Sequence, residues 1–228
     1  MRTELVFILD RSGSMGGLES DTIGGFNSML KKQQAEDGEC NLTTVLFDNE
    51  YEILHDRLDI KAINPMTDKE YSVRGTTALL DAIGKTINKI VNVQKQCKPE
   101  YKADKVLFVI TTDGMENASR EFDNAKIKSM IERQKKEYNW EFIFLGANID
   151  AVEVADNFGI DKKYAKNFHN DSQGISKNYE SVGTAISNWR TTSMETSLSD
   201  DWGDEIDKDY NNRGNNENIV NAVKNKPK

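Results

Sequence analysis

Residues 5–14 read LVFILDRSGS and give the strongest indication of the fold. Its first half, Leu5 to Leu9, is a continuous apolar run, which is typical of a central strand covered on both faces. Its second half places Asp10, Ser12 and Ser14 at alternate positions, so that their oxygens can turn toward one point in a tight loop. A buried strand followed by such a loop is typical of an open parallel sheet, where ligands bind beyond the carboxyl ends of the strands.

Strand-like and helical patterns alternate along the rest of the chain. Apolar runs predict buried strands at 106–110 and 142–145, and the runs 42–47 and 51–54 predict a hairpin that contributes one antiparallel strand. Apolar stripes at three- and four-residue spacing predict helices at 21–34, 79–91, 122–136, 151–158 and 175–189. Repeated strand and helix predict an α/β fold with a mostly parallel sheet and helices on both faces.

Composition sets limits on the function. The 228 residues are 37% hydrophobic and 30% charged, which suffices for a core, and the net charge of −8 disfavours a basic nucleic-acid-binding protein. No apolar run approaches the roughly 18–20 residues that span a bilayer. The five apolar residues after Glu4 are too few for a secretory signal. Cys40 and Cys97 are far apart and predict free, buried thiols, so we expect a cytoplasmic protein.

The composition changes beyond Thr191. Residues 199–228 contain seven Asn and seven acidic residues and few apolar ones. We therefore expect a folded domain at 1–190 and a disordered polar, acidic and Asn-rich tail at 191–228. An ordered extra element at 219–223 is the alternative.

Three short polar segments offer oxygen ligands. They are the loop of Asp10, Ser12 and Ser14, the pair Thr76-Thr77 before the helix at 79–91, and Asp113 in a T-T-D-G sequence after the strand at 106–110. Each has an ordinary alternative, because Ser and Thr cap helices and Asp-Gly forms turns. Together they supply hydroxyls and carboxylates without Cys or His, which is the ligand set that Mg²⁺, Mn²⁺ or Ca²⁺ prefers.

The three segments resemble the metal-ion-dependent adhesion site (MIDAS) of von Willebrand factor type A (vWA) domains, and the resemblance covers residues 3–190. The family pattern is D-x-S-x-S after the first strand, a Thr at the head of a middle helix, and an Asp in a T-D-G-type turn after the fourth strand. Asp10, Ser12, Ser14 and Asp113 match it. Thr77 is preferred to Thr76 from the spacing to the helix that follows. The chain resembles small stand-alone bacterial or phage members.

The resemblance implies a Rossmann-like three-layer sandwich and a Mg²⁺ coordinated by Ser12, Ser14 and Thr77, with Mn²⁺ or Ca²⁺ as alternatives. Asp10 and Asp113 would act directly or through water. Because few charges touch the metal, an Asp or Glu of a protein partner can complete its shell. The implied function is a cytosolic protein-binding module. The partner expected is an AAA+ ATPase or a stress- or defence-system component, and neither nucleic acid nor a membrane is expected.

Neighbouring residues carry weaker expectations. Arg11 and Met15 lie between ligand positions and are expected to face outward. Glu116 and Asn117 follow the Asp113 turn and either line the rim of the site or belong to a solvated loop. Asp81 is expected to interact with the dipole of its own helix.

The sequence is compatible with two other functions. One is a metal-dependent hydrolase of phosphate esters, although the chain lacks both an Asp-x-Asp pair at this loop and a P-loop. The other is a structural assembly subunit whose metal only stabilises it. His55 and His169 lack ligand-like neighbours, and no obvious base or nucleophile accompanies the site, so we predict a protein that is not an enzyme.

Overall fold

A six-stranded sheet forms the centre of the protein in the computed structural model, which describes the backbone of residues 1–224 and the side chains of residues 1–214. The strand order is β3-β2-β1-β4-β5-β6. All neighbours are parallel except β2 and β3, which form the antiparallel edge. The predicted architecture is confirmed. The strands are β1 Arg2–Asp10, β2 Glu39–Phe47, β3 Tyr51–Asp59, β4 Lys105–Asp113, β5 Glu141–Ala147 and β6 Ala165–Phe168.

Helices cover the sheet. The first helix packs against the fifth, the second contacts the third, and the fourth lies on β5 and β6. The helices are α1 Glu19–Gln34, α2 Leu79–Gln96, α3 Asn124–Tyr138, α4 Ala151–Asn157, α5 Ser172–Thr191 and α6 Asp204–Lys224. None of these helices is both long enough and apolar enough to cross a bilayer.

The central strand β1 positions the candidate site. Every residue from Thr3 to Asp10 is buried, as expected for a strand with both faces covered. Strand β4 pairs with β1 in parallel, with Leu9 opposite Thr111. The last residues of the two strands, Asp10 and Asp113, therefore lie at the same edge of the sheet.

The sequence pattern missed one strand. Strand β6 has only four residues, Ala165–Phe168, and joins the edge of the sheet beside β5. Its sequence, AKNF, has neither a continuous apolar run nor an alternation long enough to indicate a strand.

The prediction of a disordered tail is wrong for residues 198–214. Leu198, Trp202 and Ile206 are buried, at 3%, 7% and 1% exposure, and α6 packs on α5 and β6. Of the three, Ile206 lies in α6, whereas Leu198 and Trp202 precede it in irregular structure, so no helical period marks them within the acidic and Asn-rich composition. Residues 225–228 and the side chains at 219–223 lie outside the described residues.

Both cysteines are free, as predicted. Cys40 is buried, and burial raises the pKa of its thiol to about 12. Cys97 is only partly buried, so the expectation of a buried thiol is confirmed for Cys40 alone.

Candidate metal centre

The loops after β1 and β4 are joined by hydrogen bonds at the carboxyl edge of the sheet. The Thr112 hydroxyl donates to Oδ2 of Asp10 at 2.7 Å, and the Asp113 backbone N–H approaches the same oxygen at 3.3 Å. The Ser14 hydroxyl donates to the backbone carbonyl of Asp113 at 2.6 Å. Two segments about a hundred positions apart in sequence thus form one cluster.

The loop after β1 turns its side-chain oxygens together. The Ser12 backbone N–H donates to Oδ1 of Asp10 at 2.7 Å, and the hydroxyl oxygens of Ser12 and Ser14 are 3.1 Å apart. Asp10 and Ser12 are buried, whereas Ser14 is exposed, so the cluster opens to solvent at Ser14. Neither serine caps a helix, because Ser12 makes no side-chain cap bond and α1 begins after Leu18.

The third segment reaches the site through Gly75. Its carbonyl accepts the Gly13 N–H at 3.2 Å, which joins the segment before α2 to the loop after β1. Gly75 has a φ of +68°, and a Cβ there would lie 2.0 Å from Oδ1 of Asn49, so both conformation and space require glycine. Thr77 is buried and Thr76 exposed, which favours Thr77 as the inward-facing residue. The capping alternative is wrong, since the N-cap of α2 is Ala78 and has no side-chain cap bond.

The loop from Gly114 to Phe122 holds the start of α2. Oδ1 of Asn117 accepts the Thr77 N–H at 3.0 Å, and Oε2 of Glu116 accepts the Leu80 N–H at 2.9 Å. Asp81 in turn accepts the backbone N–H groups of residues 120–122. Glu116 and Asn117 therefore hold Thr77 and the start of α2, while the Asn117 side chain stays exposed in the loop.

Arg11 and Met15 do not face outward as expected. Arg11 is 3% exposed, and its Nε pairs with Oδ2 of Asp48 at 3.0 Å while a terminal nitrogen pairs with Glu52 at 2.6 Å. Met15 is also 3% exposed and lines an internal cavity under the loop. Both side chains anchor the loop that carries Ser12 and Ser14.

Burial dominates the electrostatics of the two acidic residues. Burial raises the pKa of Asp10, although hydrogen bonds from Ser12 and Thr112 oppose the shift. Burial also raises the pKa of Asp113, opposed by the hydrogen bond from Asn148 and reinforced by the charge of Asp10. Two neighbouring buried carboxylates are costly to ionise unless a cation accompanies them.

Sequence reasoning missed three side chains at this site. They are Thr112, which bonds Asp10, and Asn148 and Asn170, whose amides both donate to the carboxylate of Asp113. Thr112 and Asn148 lie at or just after the carboxyl ends of β4 and β5, a position shared with the predicted ligands. Asn170 follows β6, so without that strand its position gave no signal.

Neither histidine is placed for catalysis at this cluster. His55 stacks on Phe26, and its Nδ1 lies 3.0 Å from the Thr44 hydroxyl. His169 stacks on Tyr210, with Nε2 3.1 Å from the Tyr210 carbonyl. Within residues 1–214, no group of three or more His, Cys, Asp or Glu side chains is arranged to hold a metal, so any cation here has to rely on hydroxyl oxygens.

Comparisons with known proteins identify the fold. The sequence matches no protein-family model and no curated protein. Solved structures do match at low identity. The vWF domain of the type V pili tip protein Mfa5 from Porphyromonas gingivalis superimposes with a TM-score of 0.56 at 12% identity, over 86% of this chain and 98% of that one.

Two further structures are similar. One is a von Willebrand factor type A protein from Catenulispora acidiphila, with a TM-score of 0.52 and 11% identity over 81% of this chain and 42% of that one. The other is proximal thread matrix protein 1 from the mussel byssus with a zinc-occupied MIDAS motif, with a TM-score of 0.53 and 14% identity over 82% of this chain. The match spans 46% of the mussel chain, less than half of its length.

The fold is therefore that of a vWA domain: a Rossmann-like α/β sandwich with an antiparallel edge strand and a polar cluster at the carboxyl edge of its sheet. The proteins that share this fold here are named as a matrix protein and a pilus tip protein, not as enzymes.

Proposed function

We propose that this protein is a metal-dependent protein-binding module. Ser12, Ser14 and Thr77 hold a divalent cation, Mg²⁺ in our proposal, with Mn²⁺ or Ca²⁺ as alternatives, and Asp10 and Asp113 bind it directly or through water. One observation carries the proposal: the Ser14 hydroxyl, in the loop after β1, donates to the backbone carbonyl of Asp113, at the end of β4, at 2.6 Å. This contact gathers hydroxyl and carboxylate oxygens at one solvent-facing point.

The geometry of the cluster fits such a cation. Adjacent ligands of an octahedral Mg²⁺ with bonds of about 2.1 Å lie about 3.0 Å apart. The hydroxyl oxygens of Ser12 and Ser14 are 3.1 Å apart. The buried carboxylates of Asp10 and Asp113, which have raised pKa values, supply the negative charge that a cation would neutralise.

The ligand set also explains how a partner would bind. Hydroxyl ligands are neutral, so a divalent cation that contacts Ser12, Ser14 and Thr77 directly and reaches Asp10 and Asp113 through water would stay electrophilic at its open position. When bound, the metal supplies an electrophilic position for an Asp or Glu side chain of the partner. The exposed side of the cluster, at Ser14 and the 75% exposed Met115, leaves room for that side chain. The zinc-occupied MIDAS of the mussel protein supports a divalent cation at this position of the fold.

Calorimetric titration with MgCl₂ and MnCl₂ tests the metal site. We expect one cation per chain and no uptake in Asp10→Ala. Ser20→Ala is the matched control, because Ser20 is an exposed serine of the neighbouring helix, and it should bind normally. Absence of uptake by the wild-type protein would refute the proposal.

Capture of a carboxylate is tested on the Mn²⁺-loaded protein. Acetate that replaces a metal-bound water lowers the relaxation rate of the solvent protons, and acetamide, which has the same shape without the charge, should not. Equal effects of the two probes, or none, would exclude an acid-binding function and leave only a stabilising metal.

The cellular setting is part of the proposal. Two free thiols, Cys40 and Cys97, support a cytosolic location, because paired cysteines are typical of oxidising compartments. The proposed partner is a protein that presents an Asp or Glu, with an AAA+ ATPase or a stress- or defence-system component as the class that the vWA resemblance suggests. Affinity purification with Mg²⁺ or with EDTA, compared with Asp10→Ala, tests this part.

A further inference from the structure

Two asparagines hold the carboxylate of Asp113 by both oxygens. Nδ2 of Asn148, which follows β5, donates to Oδ1 at 2.5 Å, and Nδ2 of Asn170, which follows β6, donates to Oδ2 at 2.5 Å. Hydrogen bonds to an ionised acceptor are short and strongly oriented. The direction in which Asp113 points is therefore set by the loops after the two neighbouring strands.

Asn170 also reaches the loop that carries the serines. Its Nδ2 lies 3.5 Å from the carbonyl of Ser14, and its Oδ1 is buried without a hydrogen-bond partner among the described residues. A buried acceptor without a partner is costly. The Asn170 amide therefore lies between Asp113 and Ser14, and its Oδ1 is left to accept a further hydrogen bond. Such a position suits a residue that orients metal ligands and a metal-bound water.

The residues on both sides of Asn170 are attached to α6. The ring of His169 stacks on Tyr210 with centroids 4.7 Å apart. Arg213 pairs with Asp171 and, within α6, with Asp209. Asp171 also caps α5 by accepting the Gly174 N–H at 2.8 Å, so the three-residue loop 169–171 is held between the two helices.

We propose that α6 controls the metal affinity of the site through Asn170. With α6 docked, loop 169–171 holds the Asn170 amide on Asp113, and the carboxylate keeps the orientation that the cation requires. Release of α6 frees the loop, and the site loses affinity. Because coupling between two sites is reciprocal, metal binding in turn strengthens the docking of α6. This inference rests on the proposed function, since it concerns the same site.

The test is Mn²⁺ affinity, measured by electron paramagnetic resonance, in the full chain with four substitutions. Asn170→Ala removes the amide and should weaken binding about tenfold, as is usual for a residue that orients a ligand. Arg213→Gln and, as an uncharged second variant, Tyr210→Leu loosen α6 and should weaken it about threefold or more. Lys208→Gln is the matched control: its exposed ion pair with Glu205 lies within α6 and does not touch the loop, so affinity should stay within about twofold of wild type.

Two further readouts separate coupling from general damage. The double variant Asn170→Ala/Arg213→Gln should bind Mn²⁺ no more weakly than Asn170→Ala alone, because both act through one contact. In wild type, Mn²⁺ should slow hydrogen exchange of the α6 amides, and in Asn170→Ala this metal-dependent protection should vanish.

The outcomes are distinguishable. If the wild-type protein binds no Mn²⁺, both the proposed function and this inference fail. If wild type binds but Arg213→Gln and Tyr210→Leu bind equally well, or if the double variant is additive, the coupling to α6 is refuted and the proposed function stands.

Discussion

Thr112 and Asp10 lie on neighbouring strands, and the hydroxyl of Thr112 donates to Oδ2 of Asp10 at 2.7 Å. The threonine is fully buried and the aspartate is 2% exposed. Among the described residues, Oδ2 of Asp10 has one other donor, the Asp113 N–H at the longer distance of 3.3 Å. Thr112 therefore stabilises the ionised form of Asp10 in a buried setting where burial raises its pKa.

Substitution of Thr112 should affect both stability and metal binding. Thr112→Val keeps the shape but leaves a buried carboxylate oxygen short of a donor, which costs about 1–3 kcal/mol of unfolding free energy. Loss of a residue that orients a ligand should also weaken metal binding about tenfold. Urea denaturation and Mn²⁺ titration measure the two effects.

Thr112→Ser provides the control, because it restores the hydroxyl and should recover most of the metal affinity. If Val and Ser variants bind Mn²⁺ equally, the hydroxyl has no part in positioning Asp10.

Asp48 holds two loops of the site together through its charge. Its Oδ2 accepts from Arg11 at 3.0 Å and from Arg74 at 2.8 Å; Asp48 and Arg11 are buried, whereas the Arg74 side chain is 51% exposed. Asp48→Ala leaves Arg11 buried with the exposed Glu52 as its one acidic partner among residues 1–214 and should cost about 3–5 kcal/mol in urea unfolding.

Arg74→Ala is the matched comparison at the same carboxylate. It removes an exposed partner and should cost much less unfolding free energy than Asp48→Ala. Similar losses of unfolding free energy from the two substitutions would show that burial of the Arg11–Asp48 pair does not determine how much the pair stabilises the protein.

The packing of α6 through Ile206 distinguishes a docked helix from a disordered tail. Ile206 is 1% exposed, so Ile206→Ala should destabilise the protein by about 2–5 kcal/mol. Lys208→Ala, at an exposed position of the same helix, should leave the stability nearly unchanged. Thermal unfolding of the two variants measures the difference, and equal melting temperatures would contradict the packing of α6.

The sequence predicted the parts of the fold that local pattern determines. The apolar runs at 5–9, 106–110 and 142–145 all lie in central strands, because a strand buried on both faces has to be apolar throughout. Strand β6 and the start of α6 were missed for the opposite reason. β6 is an edge strand of four residues, and the buried Ile206 near the start of α6 stands within an acidic composition.

The candidate site was predictable as a set of loops but not in its supporting contacts. Asp10, Ser12, Ser14 and Asp113 follow buried strands, and strand order alone brings them to one edge. The orientation of Arg11 was not predictable, because its partner Asp48 is 37 residues away and reaches it only in the folded chain. Thr112, Asn148 and Asn170 were missed in the same way, since each acts on a carboxylate from another strand or loop.

Asp81 makes the stability of the loop beside Thr77 depend on pH. Burial opposes ionisation of Asp81, but the backbone N–H groups of Arg120, Glu121 and Phe122 outweigh it, so the pKa lies below the ordinary 3.8. A carboxyl with a lowered folded pKa stabilises the protein above its unfolded pKa, and this contribution is lost as the pH falls through the folded pKa. Asp81→Asn should therefore cost about 1–3 kcal/mol at neutral pH.

The pH dependence distinguishes this charge effect from simple loss of packing. Because wild type loses the contribution of Asp81 in acid, the difference in unfolding free energy between wild type and Asp81→Asn should shrink below about pH 4. Ser119→Ala removes an uncharged hydroxyl from the same loop and serves as the control for loss of a contact without loss of charge. Urea unfolding at several pH values measures both series. A constant difference for Asp81→Asn would mean that the backbone hydrogen bonds from residues 120–122 do not favour the ionised carboxylate.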